Sequence, residues 1–394
     1  MAKIMIIAGG MWQCPIVQLV KRKGHYVICT NLYEDSPAFQ YADVGIVADV
    51  LDKEKNLQIA MEYKPDAVLT EQTDIAVPTV AYIAEQLGIK GIGFEIARRF
   101  TNKYETRKYI YDAGFISPEF ALCRNIDEAK RFLREVPVSI IKPLDSQSSR
   151  GIHVVRSVDD IEKNFEDCIQ YSNEEKAIVI EEYIEGTEFT VDGLKTSTEY
   201  IVTAISEKEH YAHNPNIANR LLFTQKNDRF DYEKLKKLNE DMVIAMQLPF
   251  GLTHAEYKYK NGEFYLIEIA ARGGGTKISS DIVPLVSGIN SNEIYLDILT
   301  GGKGEVVREP YHECAVLGFF DFKPGKVISI KGVDEAKKQL GVHDIGLEIK
   351  VGDILGQAQD DRSRCGYYIL WGDSVEELNQ REKLLKETVE VWTK

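Results

Sequence analysis

Lys142 ends an apolar run, SIIKP, and is followed by a loop of small polar residues from Ser146 to Gly151. A lysine closing a buried strand beside such a loop can hold phosphate oxygens while loop N–H groups and hydroxyls fold over them. A surface lysine next to an ordinary turn reads the same residues equally well. Further on, Glu181, Glu182, Tyr183 and Ile184 end a strand, Glu185-Gly186 turns, and Glu188 opens the next strand. This turn can offer backbone groups to the edge of an adenine, one acid to its exocyclic amine and a second to ribose hydroxyls. Acids at strand ends are also commonly just solvated. Glu256 and Glu268 flank an Asn-Gly hairpin, and Glu268 lies within FYLIEIAA, an apolar run where an unpaired carboxylate is costly. A divalent cation removes that cost, and hard oxygen ligands of this kind suit Mg2+ bridging phosphates. Arg272, four residues later and followed by three glycines, can reach a phosphoryl group in transfer.

Strand parity sharpens the metal reading. A two-residue Asn261-Gly262 turn in a regular ladder pairs Lys260 with Glu263 and Glu256 with Ile267, which puts the two glutamates on opposite faces. A three-residue loop over Lys260–Gly262 instead pairs Glu256 with Leu266 and brings Glu268 diagonally beside it. The metal reading therefore predicts an odd-length loop with positive φ at Gly262.

Other candidates carry less. No G-x-x-x-x-G-K-[ST], G-x-S-x-G or H-E-x-x-H is present. His210 and His213 have H-x-x-H spacing without a completing acid or cysteine cluster, so they read as solvent-exposed histidines. His254 shares a strand face with Glu256 and lines the same site. Tyr257, Tyr259, Phe264 and Tyr265 alternate as packed strand residues do. Arg362 and Arg364 are candidates to close over an acceptor substrate. The six cysteines lack any C-x-x-C and read as reduced bystanders.

The elements that must position these residues fall into three stretches. Short apolar runs alternate with helical stripes up to about residue 97: KIMIIA, HYVICT and DAVLT, with helices near 53–63 and 75–87. That alternation predicts a parallel sheet with crossover helices. The first turn, AGGMWQ, lacks G-x-G-x-x-G spacing and reads as a tight strand-to-helix turn. A charged helix over ARRFTNKYETRKYIYDAG then leads into strands and helices that end near Thr300, where GGKGE looks like a boundary. The remainder reads as a small α+β unit with a helix near 375–391.

With 394 residues the chain is long enough for two or three domains, and its hydrophobic content of 44% suits a folded core. Lys+Arg 48 against Asp+Glu 62 gives a net charge of −14, which disfavours nucleic acid and anionic membranes as partners. A phosphate-bearing ligand must then be met by locally placed cations. The short apolar start reads as a first strand, without a targeting peptide or membrane span.

The ordered set NKYETR, SIIKP, SSRGI, EEYIEGTEFTV, HAEYKYKNGEFYLIEIAAR and GGG resembles the ATP-grasp superfamily over essentially the whole chain. Within it the chain is similar to the branch of carboxylate-amine ligases, carbamoyl-phosphate-synthase-like and purine-biosynthetic proteins. The resemblance implies an α/β architecture in three parts. An N-terminal parallel α/β (pre-ATP-grasp) domain spans 1–97, and a two-part α+β nucleotide-binding domain spans 98–305 with a flexible lid at about 113–186. A small C-terminal α+β domain spans 306–394. By the same resemblance Lys103 and Lys142 face phosphates under a loop carrying Ser148, Ser149 and Gly151. Glu181, Tyr183 and Ile184 meet adenine, and Glu188 meets ribose. Glu256 and Glu268 hold Mg2+, and Arg272 contacts the transferred phosphoryl or the acyl-phosphate.

The implied activity is an ATP-dependent ligase that phosphorylates a carboxylate and passes the acyl group to an amine. Small-molecule substrates, a cytoplasmic location and a homodimer accord with it. Two alternatives stand: a purine-biosynthetic phosphoribosyl ligase or carboxylating enzyme, and a non-catalytic nucleotide-binding protein. Many family members place Asn two residues after the second metal glutamate, where this chain has Ala270.

Overall fold

The structure, a computed structural model, describes residues 1–147 and 150–394, without the side chains of Asn216 and Arg362. Four parallel strands open the chain: β1 (Lys3–Ile7), β2 (Tyr26–Asn31), β3 (Val44–Val47) and β4 (Ala67–Leu69). Their order is β3-β2-β1-β4. Ile4 to Ile7 are wholly buried, as expected for a strand covered on both faces by crossover helices. Those helices are α1 (Cys14–Arg22), α2 (Lys53–Tyr63) and α3 (Val77–Leu87). Because β2 and β4 lie on opposite sides of β1, the loops leaving β1 and β4 diverge. They open a crevice at the carboxyl ends of the strands, the usual ligand position in such a sheet.

The charged helix expected after residue 97 is two helices, α4 (Phe94–Thr101) and α5 (Lys103–Asp112). Asn102 breaks them with an extended backbone, and its side chain accepts hydrogen bonds from the N–H groups of Tyr104 and Glu105. Lys103 is thereby fixed in the first turn of α5.

A second sheet follows: β5 (Phe120–Cys123), β6 (Ser139–Pro143), β7 (His153–Val155) and β8 (Ile178–Glu182), antiparallel in the order β5-β8-β6-β7. Helices Ile126–Glu135 and Val158–Ile169 cover it, with Leu133, Ile141, Phe165 and Ile180 in the shared core. The largest sheet then begins with β9 (Thr187–Lys195), β10 (Tyr200–Tyr211), β11 (Asn214–Thr224), β12 (Gly251–Lys260) and β13 (Glu263–Ala270). After an irregular stretch containing GGKGE come β14 (Cys314–Phe319), β15 (Gly325–Lys331), β16 (Val342–Leu347), β17 (Ile354–Leu355), β18 (Gly366–Gly372) and β19 (Glu390–Thr393). Strands β14, β18 and β16 extend the same sheet, whose order is β13-β12-β9-β10-β11-β14-β18-β16, while β17-β15-β19 form a small separate one.

The hairpin between β12 and β13 corrects the sequence reading. Lys260 pairs with Glu263, and both Asn261 (φ 53°) and Gly262 (φ 90°) are left-handed. This is the two-residue turn that Asn-Gly favours and not an odd-length loop. The parity changes further down the ladder. Tyr257 pairs with Leu266 but Glu256 pairs with Glu268, so Ile267 is an extra residue. That bulge brings the two glutamates directly opposite each other on one face.

Candidate active site

On the face of the large sheet that carries the glutamates, side chains fall in rows across four strands. Glu268, Glu256, Thr190 and Ser206 form one row. Lys258, Glu188 and Lys208 form the row on one side of it, and Ala270, His254, Asp192 and Ala204 the row on the other. Lys208 Nζ lies 2.7 Å from Glu188 Oε1 and 2.7 Å from Glu256 Oε1. Burial raises the carboxyl pKa of Glu188, but Lys208, His210 and Lys258 outweigh it and hold the group at about 2. Glu256 is likewise kept well below the usual range, burial opposing and Lys208 and His254 prevailing. His254 Nδ1 donates to Asp192 Oδ1 at 2.9 Å. Burial lowers its pKa, and Asp192 more than reverses this to about 9, so the ring is an imidazolium at neutral pH.

The phosphate lysines are placed by different devices. Lys103 Nζ lies 2.7 Å from Glu268 Oε1 and donates to the Ser146 carbonyl at 2.7 Å, tying α5 to the loop after β6. Lys142 is buried and donates to Glu181 Oε2 at 2.8 Å. Glu181, 2% exposed, also receives Arg107 through Nε at 3.0 Å and Nη2 at 3.3 Å. Burial pushes its carboxyl upward, while the two cations pull it down to about 2. Arg107 further donates to the carbonyls of Leu266 and Ile267 at 2.6 and 3.2 Å. One buried guanidinium thus satisfies the bulge that positions Glu268 and anchors the acid that holds Lys142.

Arg272 is gripped from the N-terminal sheet. Its Nε and Nη2 donate to Asp74 Oδ1 and Oδ2 at 2.8 and 2.7 Å, and Nη1 donates to the Gly273 carbonyl at 2.8 Å. Two of its five N–H groups are left for a ligand. The glycines that follow are needed for close approach. A Cβ on Gly273 would sit 2.4 Å from Glu71 Oε1, and one on Gly274 would sit 2.7 Å from Asp192 Oδ1. Glu71 accepts from Ser279 Oγ at 2.8 Å, and burial pushes its carboxyl up to about 7. A π-helical turn at Ile278–Ile282 completes this segment.

Part of this set borders a cavity of about 480 Å³. Glu188, Lys208, His254, Glu256, Glu268 and Arg272 line its floor. Trp12, Gln13, Gln72 and Asp74 enter from the crevice between β1 and β4, and Phe319, Glu348 and Arg364 from the C-terminal segment. Arg364 pairs with Asp361 at 2.7 Å and stacks its guanidinium 3.7 Å above the Phe319 ring.

The donor set suits magnesium. Ala270 contributes nothing, and among the described residues no group of three or more His, Cys, Asp or Glu side chains converges. Two opposed carboxylates remain, enough for an ion that completes its shell with phosphate oxygens and water.

The structure brings Lys103, Glu188, Glu256, Glu268, His254 and Arg272 together, with Lys142 behind Glu181. Glu181 is enclosed by Arg107 and Lys142, so holding Lys142 is the part open to it in this arrangement. Glu188 points to Lys208 and His210 rather than standing free. Tyr183 N–H is spent on the Val138 carbonyl, and Ile184 is buried beside it. Gly151 has the left-handed backbone of a turn (φ 69°), while Ser148 and Ser149 lie outside the described residues. His210 corrects its reading: it is half-buried, 3.3 Å from Glu188 Oε2, and lines the cavity, because Glu188 faces it across the sheet. His213 is exposed, and the side chain of Arg362 lies outside the described residues. Sequence reasoning missed Lys208, Asp74, Glu71, Trp12 and Gln72. A signal existed for the last four, since they sit on the two loops that diverge beside β1.

Residues 135–281 match the ATP-grasp domain family, and residues 318–394 match the L-amino acid ligase C-terminal domain 2. An ATP-grasp domain therefore occupies residues 135–281. Its relatives include the formate-dependent phosphoribosylglycinamide formyltransferase of Prochlorococcus marinus, 30% identical over 185 residues, 46% of this chain and 47% of that one. The alanine–anticapsin ligase of Bacillus subtilis is 26% identical over 291 residues, 66% of this chain and 60% of that protein. The chain thus spans about half the length of the formyltransferase. The crystal structure of an L-amino acid ligase from Bacillus licheniformis superposes with a TM-score of 0.83 at 20% identity, covering 100% of this chain and 99% of that one. The chain shares the fold of that ligase from end to end. No helix among its described residues is long and apolar enough to cross a membrane.

Proposed function

We propose that the chain is an ATP-dependent ligase that joins a carboxylate to an amine through an acyl-phosphate and releases ADP and phosphate. The observation that carries this reading is the convergence of Glu256, Glu268 and Arg272, with Lys103 paired to Glu268, at one cavity that also reaches the N-terminal crevice and the C-terminal segment. A carboxylate is a poor electrophile until one oxygen becomes a good leaving group. Its oxygen attacks the γ-phosphorus as the bond to ADP breaks, and the amine nitrogen then attacks the acyl carbon, expelling phosphate and losing a proton. Lys103 and Lys142 place positive charge where phosphate oxygens lie under the loop after β6. The unspent N–H groups of Arg272 orient the transferred phosphoryl, with Asp74 fixing the guanidinium plane. Mg2+, held by Glu256 and Glu268, supplies charge neutralisation at the phosphates when bound.

The names of the relatives point to two acceptor classes, a phosphoribosyl amine and an amino acid. Lys208, Arg272, Arg364 and the His254 imidazolium, cations lining the cavity, are each paired with an acid, which favours an amino acid over a phosphate monoester. The proposal includes the three-part division at 97/98 and 305/306 with a lid at about 113–186. It also includes a cytoplasmic location, a homodimer, and small-molecule partners without nucleic acid or membrane. The test is ADP release on mixing with ATP, Mg2+ and pools of amino acids or sugar acids. Substrate-dependent release with amino-acid pools is expected. Tight ATP binding without release in any pool would establish a nucleotide-binding protein instead.

A further inference from the structure

Lys208 differs from the other cations of the site in bridging two acids. Its strand, β10, is hydrogen-bonded on both sides, and Glu188 is its direct partner across β9. The side chain is 10% exposed and its Nζ stands 2.7 Å from both Glu188 Oε1 and Glu256 Oε1. Glu256 is in turn the direct partner of Glu268, whose Oε1 is taken by Lys103 at 2.7 Å. Both ion pairs fall on Oε1, and Oε2 of each acid is available to a cation. Ala270, beyond Glu268, offers no donor for another ion.

We infer that the Lys208 ammonium takes the place of a second divalent cation, so that the nucleotide binds with a single Mg2+ held by Glu256 and Glu268. This rests on the ligase reading above. The charges favour a cation at that point, because Glu188 and Glu256 would otherwise face each other in a half-buried cleft with Lys258 and His254, each 3.9 Å from one of them, and His210, 3.3 Å from Glu188, as the remaining offsets. A lysine delivered by a regular ladder fills the position permanently. A dication placed beside it would be repelled by the ammonium and would find the nearest carboxylate oxygens already engaged.

Mn2+ reports this count, because free Mn2+ gives an electron paramagnetic resonance signal that is lost on binding. With saturating β,γ-imido-ATP, the wild-type chain is expected to take up one Mn2+ per chain and Lys208→Met two, whereas Lys208→Arg stays at one. Two ions in the wild type, or one in a folded Lys208→Met, would overturn the inference. Should Lys208→Met fail to fold, the wild-type count decides alone. Equilibrium dialysis with labelled ATP separates the two readings: no nucleotide binding overturns the ligase reading and this inference together, while nucleotide bound with two ions overturns only the inference.

Discussion

Removing Lys142 and removing its partner Glu181 should have opposite consequences. Arg107, Glu181 and Lys142 form a buried triad of net charge +1, and that surplus is the charge offered to phosphate. Lys142→Met reduces the triad to a neutral pair: Glu181 keeps both contacts to Arg107, and Arg107 keeps the carbonyls of Leu266 and Ile267. Stability should change by less than about 1 kcal/mol. Nucleotide affinity should fall by roughly 10- to 150-fold, the value of one charge-assisted hydrogen bond of about 1.5–3 kcal/mol. Glu181→Gln leaves two buried cations facing an amide, a loss on the order of 3–5 kcal/mol. The titration of Glu181 gives a similar size. Its carboxyl lies at about 2 in the folded chain against an ordinary 4.5. The folded pKa is depressed, so the contribution is present above pH 4.5 and is lost as the pH falls through about 2; it amounts to roughly 3 kcal/mol. Chemical denaturation and titration calorimetry with an ATP analogue measure the two quantities. The reasoning is refuted if Lys142→Met destabilises as much as Glu181→Gln, or binds nucleotide as the wild type does.

Glu268→Gln should retain the fold and lose Mg2+-dependent turnover, since the amide keeps the shape and drops the charge; near-normal activity would remove the metal assignment. Glu71→Gln should raise the thermal midpoint at pH 8 and leave it unchanged near pH 4. Burial lifts the Glu71 carboxyl from 4.5 to about 7, so its neutral form is favoured below 4.5 and that stability is lost as the pH rises through 7, about 3 kcal/mol in all. An equal shift at both pH values would contradict this. Gly186→Ala should cost about 1–3 kcal/mol, because a Cβ there would fall 2.0 Å from the Tyr259 carbonyl oxygen where β8 turns into β9; a neutral result would show that the backbone yields. Nucleotide analogue should protect Arg150 from trypsin if the loop after β6 closes over ATP, and equal cutting rates would argue against a lid.

The apolar runs of β1, β2 and β4 and the helices between them were legible because burial on both faces writes a continuous hydrophobic signal. Glu256, Glu268 and Arg272 were legible as acids and a base in an apolar stretch. The bulge at Ile267 was not. Phe264 and Leu266 are buried in alternation, and the phase then slips to Ile269, but the sequence L-I-E-I is apolar in either register. The break at Asn102 was legible in principle, since Asn followed three residues later by Glu105 marks a helix start. It was hidden by the charged residues on both sides, which resemble one helix. Lys208 gave no local signal, because its importance comes from partners 20 and 48 residues away.

The hydrogen-bonded seam between β11 and β14 runs from Arg220–Gly318 to Thr224–Cys314. It makes the last eighty or so residues a continuation of the sheet rather than an appendage. A protein truncated before Cys314 would present the whole outer edge of β11 to solvent, a template for aggregation. Chimaeras between relatives, built to exchange acceptor preference, would therefore succeed only with crossovers inside the irregular stretch at 301–313. The grafted β14 must also carry side chains that pack against Leu221 and Phe223.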